Sequence, residues 1–287
     1  MLAWVNGSLV PESEATVSIF DRGFLFGDGV YELVRYFDGR PVAMDLHSAR
    51  LDRSLRLTGI EGTDPGLLEH VGGALLAANA LRDASVYVQV TRGAGAARSH
   101  MPTPGLVPTV VGIAAATPSL AAFDRPDAVR AIVRPDRRWH RCEIKTISLA
   151  GNILSLIEAQ AAGAEECILV RDGFVGEGAY TNVAIVRGGV LVTCPLDDAA
   201  SPVLHGTMRR WMLDAAEREG LRTEERRIAA AELHAAEEVL VQSSRRLVAA
   251  VVALDGEPVG HGVPGPACRA LFDAMRDRIA SGLHAAT

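Results

Sequence analysis

The chain has 287 residues, of which 48% are apolar, 5% aromatic and 22% charged. That composition excludes a disordered tail, a collagen-like fibre and a small disulfide scaffold, and it leaves ample material for a large core. The formal net charge of −6 argues against a nucleic-acid-binding surface built on bulk basicity.

Cys142, Cys167, Cys194 and Cys268 lie far apart and form no C-x-x-C pair, so they read as thiols of a reducing compartment rather than as a zinc ribbon or redox dithiol. The opening MLAWVNGSLVPESE lacks a basic segment, an apolar run and a small-residue cleavage site, so no export signal is expected. The most apolar stretch, Leu106 to Phe123, is broken by Pro108 and Pro118 and is too short to span a bilayer. A cytoplasmic protein is expected.

Leu2 to Val10 carries a hairpin signal around Asn6-Gly7, and Val30 to Phe37 followed by Asp38-Gly39 carries a second. Asp45 is expected to cap a helix in which His47, Leu51 and Leu55 share one face and which Gly59 ends. Pro65 to Leu81 reads as another helix, and Val86 to Thr91 and Thr109 to Ala115 as strands. Residues Ala114 to Asp127, AAATPSLAAFDRPD, shift to prolines and small residues and mark the expected boundary between a domain of residues 1–118 and one of 119–287.

The second half opens with a strand at Ala128 to Arg134 and a helix from about Ser148 to Ala162, stopping at Gly163. Cys167 to Arg171, Asn182 to Arg187 and Val190 to Thr193 read as strands, with turns at Asp172-Gly173 and Gly188-Gly189. A helix is expected over Thr207 to Glu219, stopping at Gly220. Strands follow at Val239 to Ser243 and Val248 to Leu254, and a closing helix at Pro266 to Leu283. Helices and strands mix without strict βαβ alternation, which makes the class α+β, and no strand is followed by G-x-G-x-x-G.

Several residues have the right type for chemistry. Lys145, in RWHRCEIKTISL, is flanked by Ile144 and Ile147. Lost hydration there would favour a neutral amine able to condense with an aldehyde, though taken alone the residue reads more simply as a snorkelling lysine at a strand end. Glu177, in VGEGAYTNVAIV, is expected at a bend between strands, where its carboxylate could hold a pyridoxal ring nitrogen protonated or serve as an ordinary hairpin residue. Arg98 and His100, in TRGAGAARSHMP, could both turn to one carboxylate, or be a solvated basic loop. Arg50 and the backbone N–H groups of Gly206, Thr207 and Met208 at a helix start suit a phosphate dianion, though the same Gly-Thr also reads as a plain helix start. The histidines show no metal-ligand spacing, so no metal is expected.

In this order the segments FDRGFLFGDGVYELVRYFDG, HSARL, VYVQVTRG with RSH, RRWHRCEIKTISL, EAQAAGAEECILVRDG, EGAYTNV and VLHGTMRR closely resemble the fold-type IV pyridoxal-phosphate aminotransferases, and among them the D-amino-acid aminotransferases. The resemblance spans nearly the whole chain. It implies a two-domain α+β fold with pyridoxal 5'-phosphate in the cleft between a smaller N-terminal and a larger C-terminal domain. It also implies transfer of an amino group between a D-amino acid and a 2-oxo acid by a ping-pong mechanism.

The same resemblance assigns roles. Lys145 matches the lysine that forms a Schiff base with the cofactor and moves the substrate α-proton. Glu177 matches the partner of the pyridine nitrogen, with Arg138 in support. Arg50 matches the phosphate-binding arginine, joined by Thr207, Met208 and Ser244. Leu204 matches the apolar residue against the cofactor ring, and Tyr31 the aromatic residue over the active site. Arg98 and His100 match the pair that traps the substrate carboxylate across a homodimer interface, which implies two active sites per dimer.

Related activities stay in view. Branched-chain aminotransferases usually show Phe-Glu-Gly-Ile-Arg where this chain has Tyr31-Glu32-Leu33-Val34-Arg35. An R-selective amine transaminase needs no carboxylate trap, and aminodeoxychorismate lyases usually differ around Tyr31 and the R-x-H loop. A ligand-binding pseudoenzyme is the non-enzymatic alternative. Two departures bear on side-chain preference: Ser243-Ser244-Arg245-Arg246-Leu247 replaces a run of small hydroxyl residues, and Tyr180 replaces a small residue beside Glu177.

Overall fold

A computed structural model describes residues 1–64, 66–200 and 202–284. Asn6 and Gly7 take positive φ angles of 47° and 92°, the backbone a two-residue hairpin turn requires, and so join β1 (Leu2–Val5) to β2 (Ser8–Pro11). The short helix α1 (Arg22–Phe26) starts on Asp21, whose carboxylate accepts the Gly23 N–H. Then come β3 (Gly29–Phe37), β4 (Arg40–Pro41), α2 (Met44–Thr58), α3 (Leu67–Ala78), β5 (Ala84–Thr91) and β6 (Thr109–Ala116). These strands form an antiparallel sheet in the order β2-β1-β6-β5-β3-β4.

Side chains alternate along β3, so Val30, Glu32, Val34 and Tyr36 are all buried. Val30, Val34 and Tyr36 join Leu51 and Leu55 of α2 and Leu68, Val71 and Leu75 of α3 in one core. The N-cap of α2 is Ala43, held at φ 52° without a side-chain cap, and Asp45 lies exposed in the first turn instead. There it still complements the positive end of the helix dipole. Gly59, at φ 63°, ends α2 as expected. Pro65, the expected start of the next helix, lies outside the described residues.

The chain divides into two units, Met1–Ala122 with Ile144–Leu149, and Phe123–Glu143 with Ala150–Thr287. The division falls a few residues past 118, and the Lys145 segment belongs to the first unit rather than to the later half of the chain. Backbone pairing explains this. Tyr31 N–H donates to the Lys145 carbonyl at 2.9 Å, Ile147 N–H donates to Gly29 at 3.1 Å, and Thr146 bridges Val30. Ile144 is buried in the first unit's core.

The second unit contains β7 (Ala128–Pro135), α4 (Ala150–Ala161), β8 (Glu166–Arg171), β9 (Phe174–Gly178), β10 (Asn182–Arg187) and β11 (Val190–Thr193). After these come α5 (Thr207–Arg218), β12 (Arg222–Glu225), β13 (Ile228–Ala229), α6 (Ala230–His234), β14 (Glu238–Ser243), β15 (Leu247–Leu254), β16 (Glu257–Pro258) and α7 (Pro266–His284). The strands form one mixed sheet, β12-β11-β10-β14-β15-β7-β8-β9-β13, with β16 on β15. Among the described strands only β11/β12, β15/β7 and β7/β8 run parallel. Val183 and Ile185 of β10, Val239 and Val241 of β14 and Val251 of β15 fill its core.

Glu177 sits inside β9 rather than at a bend, because the glycine-rich FVGEG segment pairs with both β8 and β13. The helix expected from Ser148 begins at Ala150, since the backbone of 144–149 is committed to β3. All four cysteines are buried and free.

Candidate active site

In the first unit, the half-buried Lys145 places Nζ 4.3 Å from the centroid of the Tyr31 ring. Its backbone is fixed on both sides: the Lys145 N–H donates to Ser54 Oγ at 3.2 Å, and its carbonyl accepts from Tyr31. Tyr31 in turn lies against Tyr87, with ring centroids 5.2 Å apart. The amine is therefore carried by a stiff backbone and steered by an aromatic face.

Beneath this strand lies a buried charged group. Arg50 donates to Glu32 through Nε and Nη2, both at 2.7 Å, and His47 Nδ1 lies 2.6 Å from Glu32 Oε2. Burial opposes ionisation of Glu32, but Arg50 and then His47 outweigh it and bring its pKa down to about 2. Burial pushes the His47 imidazole below its usual range even against the pull of Glu32, so a neutral ring donating through Nδ1 fits best. Glu32 thus fixes the guanidinium expected to take phosphate.

Arg98 and His100 are exposed, yet both lie on Phe26: the Arg98 guanidinium at 5.1 Å and the His100 ring at 5.5 Å from its centroid. Arg22 holds their loop by donating to the Ser99 carbonyl at 2.7 Å and the His100 carbonyl at 2.9 Å, while its Nε pairs with Asp28. An arginine and a histidine are thereby gathered on one anchored loop, N–H groups that suit a carboxylate.

In the second unit, Glu177 is buried. Its Oε1 accepts from Arg138 Nη1 at 2.7 Å and its Oε2 from the Leu204 N–H at 2.8 Å, with Asn182 Nδ2 at 3.4 Å. Burial pushes the Glu177 carboxyl above its ordinary value, against the pull of Arg138 and Leu204. Arg138 is itself anchored on Asp136 through Nε and Nη2. Asp136 is shared with Arg171 at 3.1 Å. Leu204, expected only as an apolar wall, contributes a backbone donor and accepts from Asn182 Nδ2 at 2.9 Å.

Gly206 is the N-cap of α5, and Thr207 and Met208 are its first residues, both buried. No side chain caps this helix, and a β-carbon on Gly206 would collide with Asn182 Oδ1. Ser244 lies in the turn between β14 and β15. In that turn Arg245 is exposed, whereas Arg246 is drawn back to Asp127 at 2.9 Å and to the Tyr180 hydroxyl at 3.4 Å.

Each unit therefore brings its own expected residues together: Lys145, Tyr31 and Arg50 in one, Glu177, Arg138, Leu204 and the start of α5 in the other. Sequence reasoning missed Glu32, Arg22, Asp136 and Asn182. The His47/Arg50 spacing of i, i+3 on one helix face was a legible hint of a shared acidic partner. Among the described residues no His/Cys/Asp/Glu group could hold a metal ion, and no helix is long and apolar enough to cross a membrane.

The family described as amino-transferase class IV matches residues 29–254. The chain is 37% identical to a D-alanine aminotransferase of Bacillus licheniformis over 96% of both chains. It is 33% identical to one of Staphylococcus haemolyticus over 97% of this chain and 98% of the relative. Among solved structures it is similar to a branched-chain aminotransferase of Thermoproteus uzoniensis with norvaline, at 26% identity and a TM-score of 0.86, covering 98% of this chain and 95% of the other. It is also similar to a hypothetical aminotransferase of Mycobacterium tuberculosis in its PLP-bound form, at 25% identity and a TM-score of 0.82, covering 98% and 100%. The chain belongs to the class IV aminotransferases, enzymes of the α+β fold-type IV class that depend on pyridoxal phosphate.

Proposed function

We propose that the protein is a cytoplasmic, homodimeric D-amino-acid transaminase that exchanges an amino group between a D-amino acid and a 2-oxo acid in two half-reactions. The observation that carries the substrate class is the Arg98/His100 pair gathered on Phe26 and tied down by Arg22. The full-length similarity to D-alanine aminotransferases supports it.

The residues present fit pyridoxal phosphate. A buried carboxylate backed by an arginine suits a pyridinium N–H, the uncapped start of α5 suits a dianion, and buried polar atoms of Gln242 and Ser243 are without protein partners. When bound, the cofactor supplies an aldehyde and an electron sink for the α-carbanion. Lys145 is the residue that would hold the cofactor through its aldehyde carbon, and its amine, when free, would take up and return the proton of the substrate α-carbon.

Glu177, held by Arg138 and Leu204, keeps the ring nitrogen protonated. Phosphate binding is assigned to Arg50, positioned by Glu32, in the first unit and, in the second, to the backbone of Thr207 and Met208 and to Ser244. Tyr31 orients the lysine, and Leu204 walls the ring. Arg98 and His100 bind the substrate carboxylate at the site of the partner subunit, which gives two shared sites per dimer.

The test is spectroscopic. Purified protein should show a near-visible absorption band that borohydride shifts and that K145A abolishes, and the band should fall with D-alanine but not L-alanine. Equal response to L-amino acids sinks the D-specific reading and favours a branched-chain L-amino-acid transaminase, the second reading that the Thermoproteus relative supports. Pyruvate released from aminodeoxychorismate without an added 2-oxo acid would instead mark a lyase.

A further inference from the structure

We infer that Gln242 is a further cofactor-binding residue, its side-chain amide donating to the phosphate group of pyridoxal phosphate at the start of α5. The inference rests on the pyridoxal-phosphate reading above and adds a residue to it.

Gln242 is 2% exposed, and both its Nε2 and its Oε1 are buried without a hydrogen-bond partner. A core side chain with both polar ends unpaired costs stability, and an apolar residue would pack there without that cost. Its neighbour Ser243 carries a buried Oγ in the same condition. Two successive residues at the end of one strand are thus unpaired immediately before Ser244.

The sheet register says which way the amide faces. Gln242 is the direct partner of Asn182 across β14 and β10, so their side chains stand on the same face of the sheet. Asn182 Oδ1 sits against Gly206, the N-cap of α5, and Asn182 Nδ2 donates to the Leu204 carbonyl just before it. The face carrying the unpaired amide is therefore the face on which α5 begins. The first-turn N–H groups of a helix favour an anion, and a neutral amide adds a donor without adding charge. Its Oε1 can be met by a bridging water.

The experiment uses protein stripped of cofactor and titrated with pyridoxal phosphate and, separately, with pyridoxal, which lacks the phosphate. Q242M and Q242L replace the amide with apolar side chains of similar volume. The expected result is a cofactor-free melting temperature no lower than wild type, a Kd for pyridoxal phosphate raised about tenfold, and an unchanged Kd for pyridoxal. An unchanged Kd for pyridoxal phosphate, or an equal rise for both ligands, overturns the proposal.

If neither variant folds, side-chain amide resonances of glutamine-labelled wild type decide. The Gln242 NH₂ signals should move with pyridoxal phosphate and not with pyridoxal, and a failure to do so overturns the proposal. Wild-type protein that takes up no pyridoxal phosphate fails at the earlier step and removes the transaminase reading itself.

Discussion

Arg138 Nη1 and Glu177 Oε1 meet at 2.7 Å with both side chains only 7% exposed, so neither charge has water to fall back on. Removing one partner of such a pair strands the other, at about 3–5 kcal/mol. R138M should lower the urea-unfolding stability of the cofactor-free protein by that order. R138M/E177M should recover much of the loss, because both charges then leave the interior together. R138M as stable as wild type would mean that the Leu204 N–H and Asn182 Nδ2, or solvent, already satisfy Glu177.

Glu32 predicts a distinct acid response. Its folded pKa, about 2 against an ordinary 4.5, is lowered, so the unfolded chain takes up the proton first as pH falls. The stabilisation is present above about pH 4.5 and is lost on descending towards pH 2, by about 3 kcal/mol. E32Q should be less stable than wild type at pH 7, with Arg50 left buried and unpaired from its carboxylate, and the difference should shrink by pH 3. Chemical denaturation at the two pH values measures it, and a difference constant with pH would refute the assignment.

Arg22 ties the Ser99 and His100 carbonyls in place. R22M should raise KM for the amino acid substrate about tenfold while leaving the near-visible band intact, since positioning errors near 1 Å are costly. Steady-state kinetics beside an absorption spectrum separates this from a loss of cofactor.

What the sequence made legible was local. The turn dipeptides Asn6-Gly7, Asp38-Gly39, Asp172-Gly173 and Gly188-Gly189 all adopt the positive φ angles their types favour, and Gly59, Gly163 and Gly220 end their helices with the same conformation. The illegible parts depend on distant partners. Glu177 reads as lying at a bend between strands because the flanking glycines weaken a strand, and FVGEG becomes a strand by pairing with β8 and β13.

Site residues followed the same division. Lys145 and Glu177 stood out by their motifs, whereas the groups that hold them did not. Arg138 comes from 39 residues before Glu177, and the strand that Lys145 joins lies more than a hundred residues earlier. The Ala43 cap of α2 went unseen because a left-handed alanine has no sequence signature.

The insertion of Ile144–Leu149 into the first unit makes that unit discontinuous along the gene. A fragment ending at 122 would lose Ile144 from its core and the carbonyl that receives the Tyr31 N–H. The first unit is therefore not a cassette that can be cut out and shuffled. The lysine travels with a scaffold that must be closed by a later stretch of the same polypeptide.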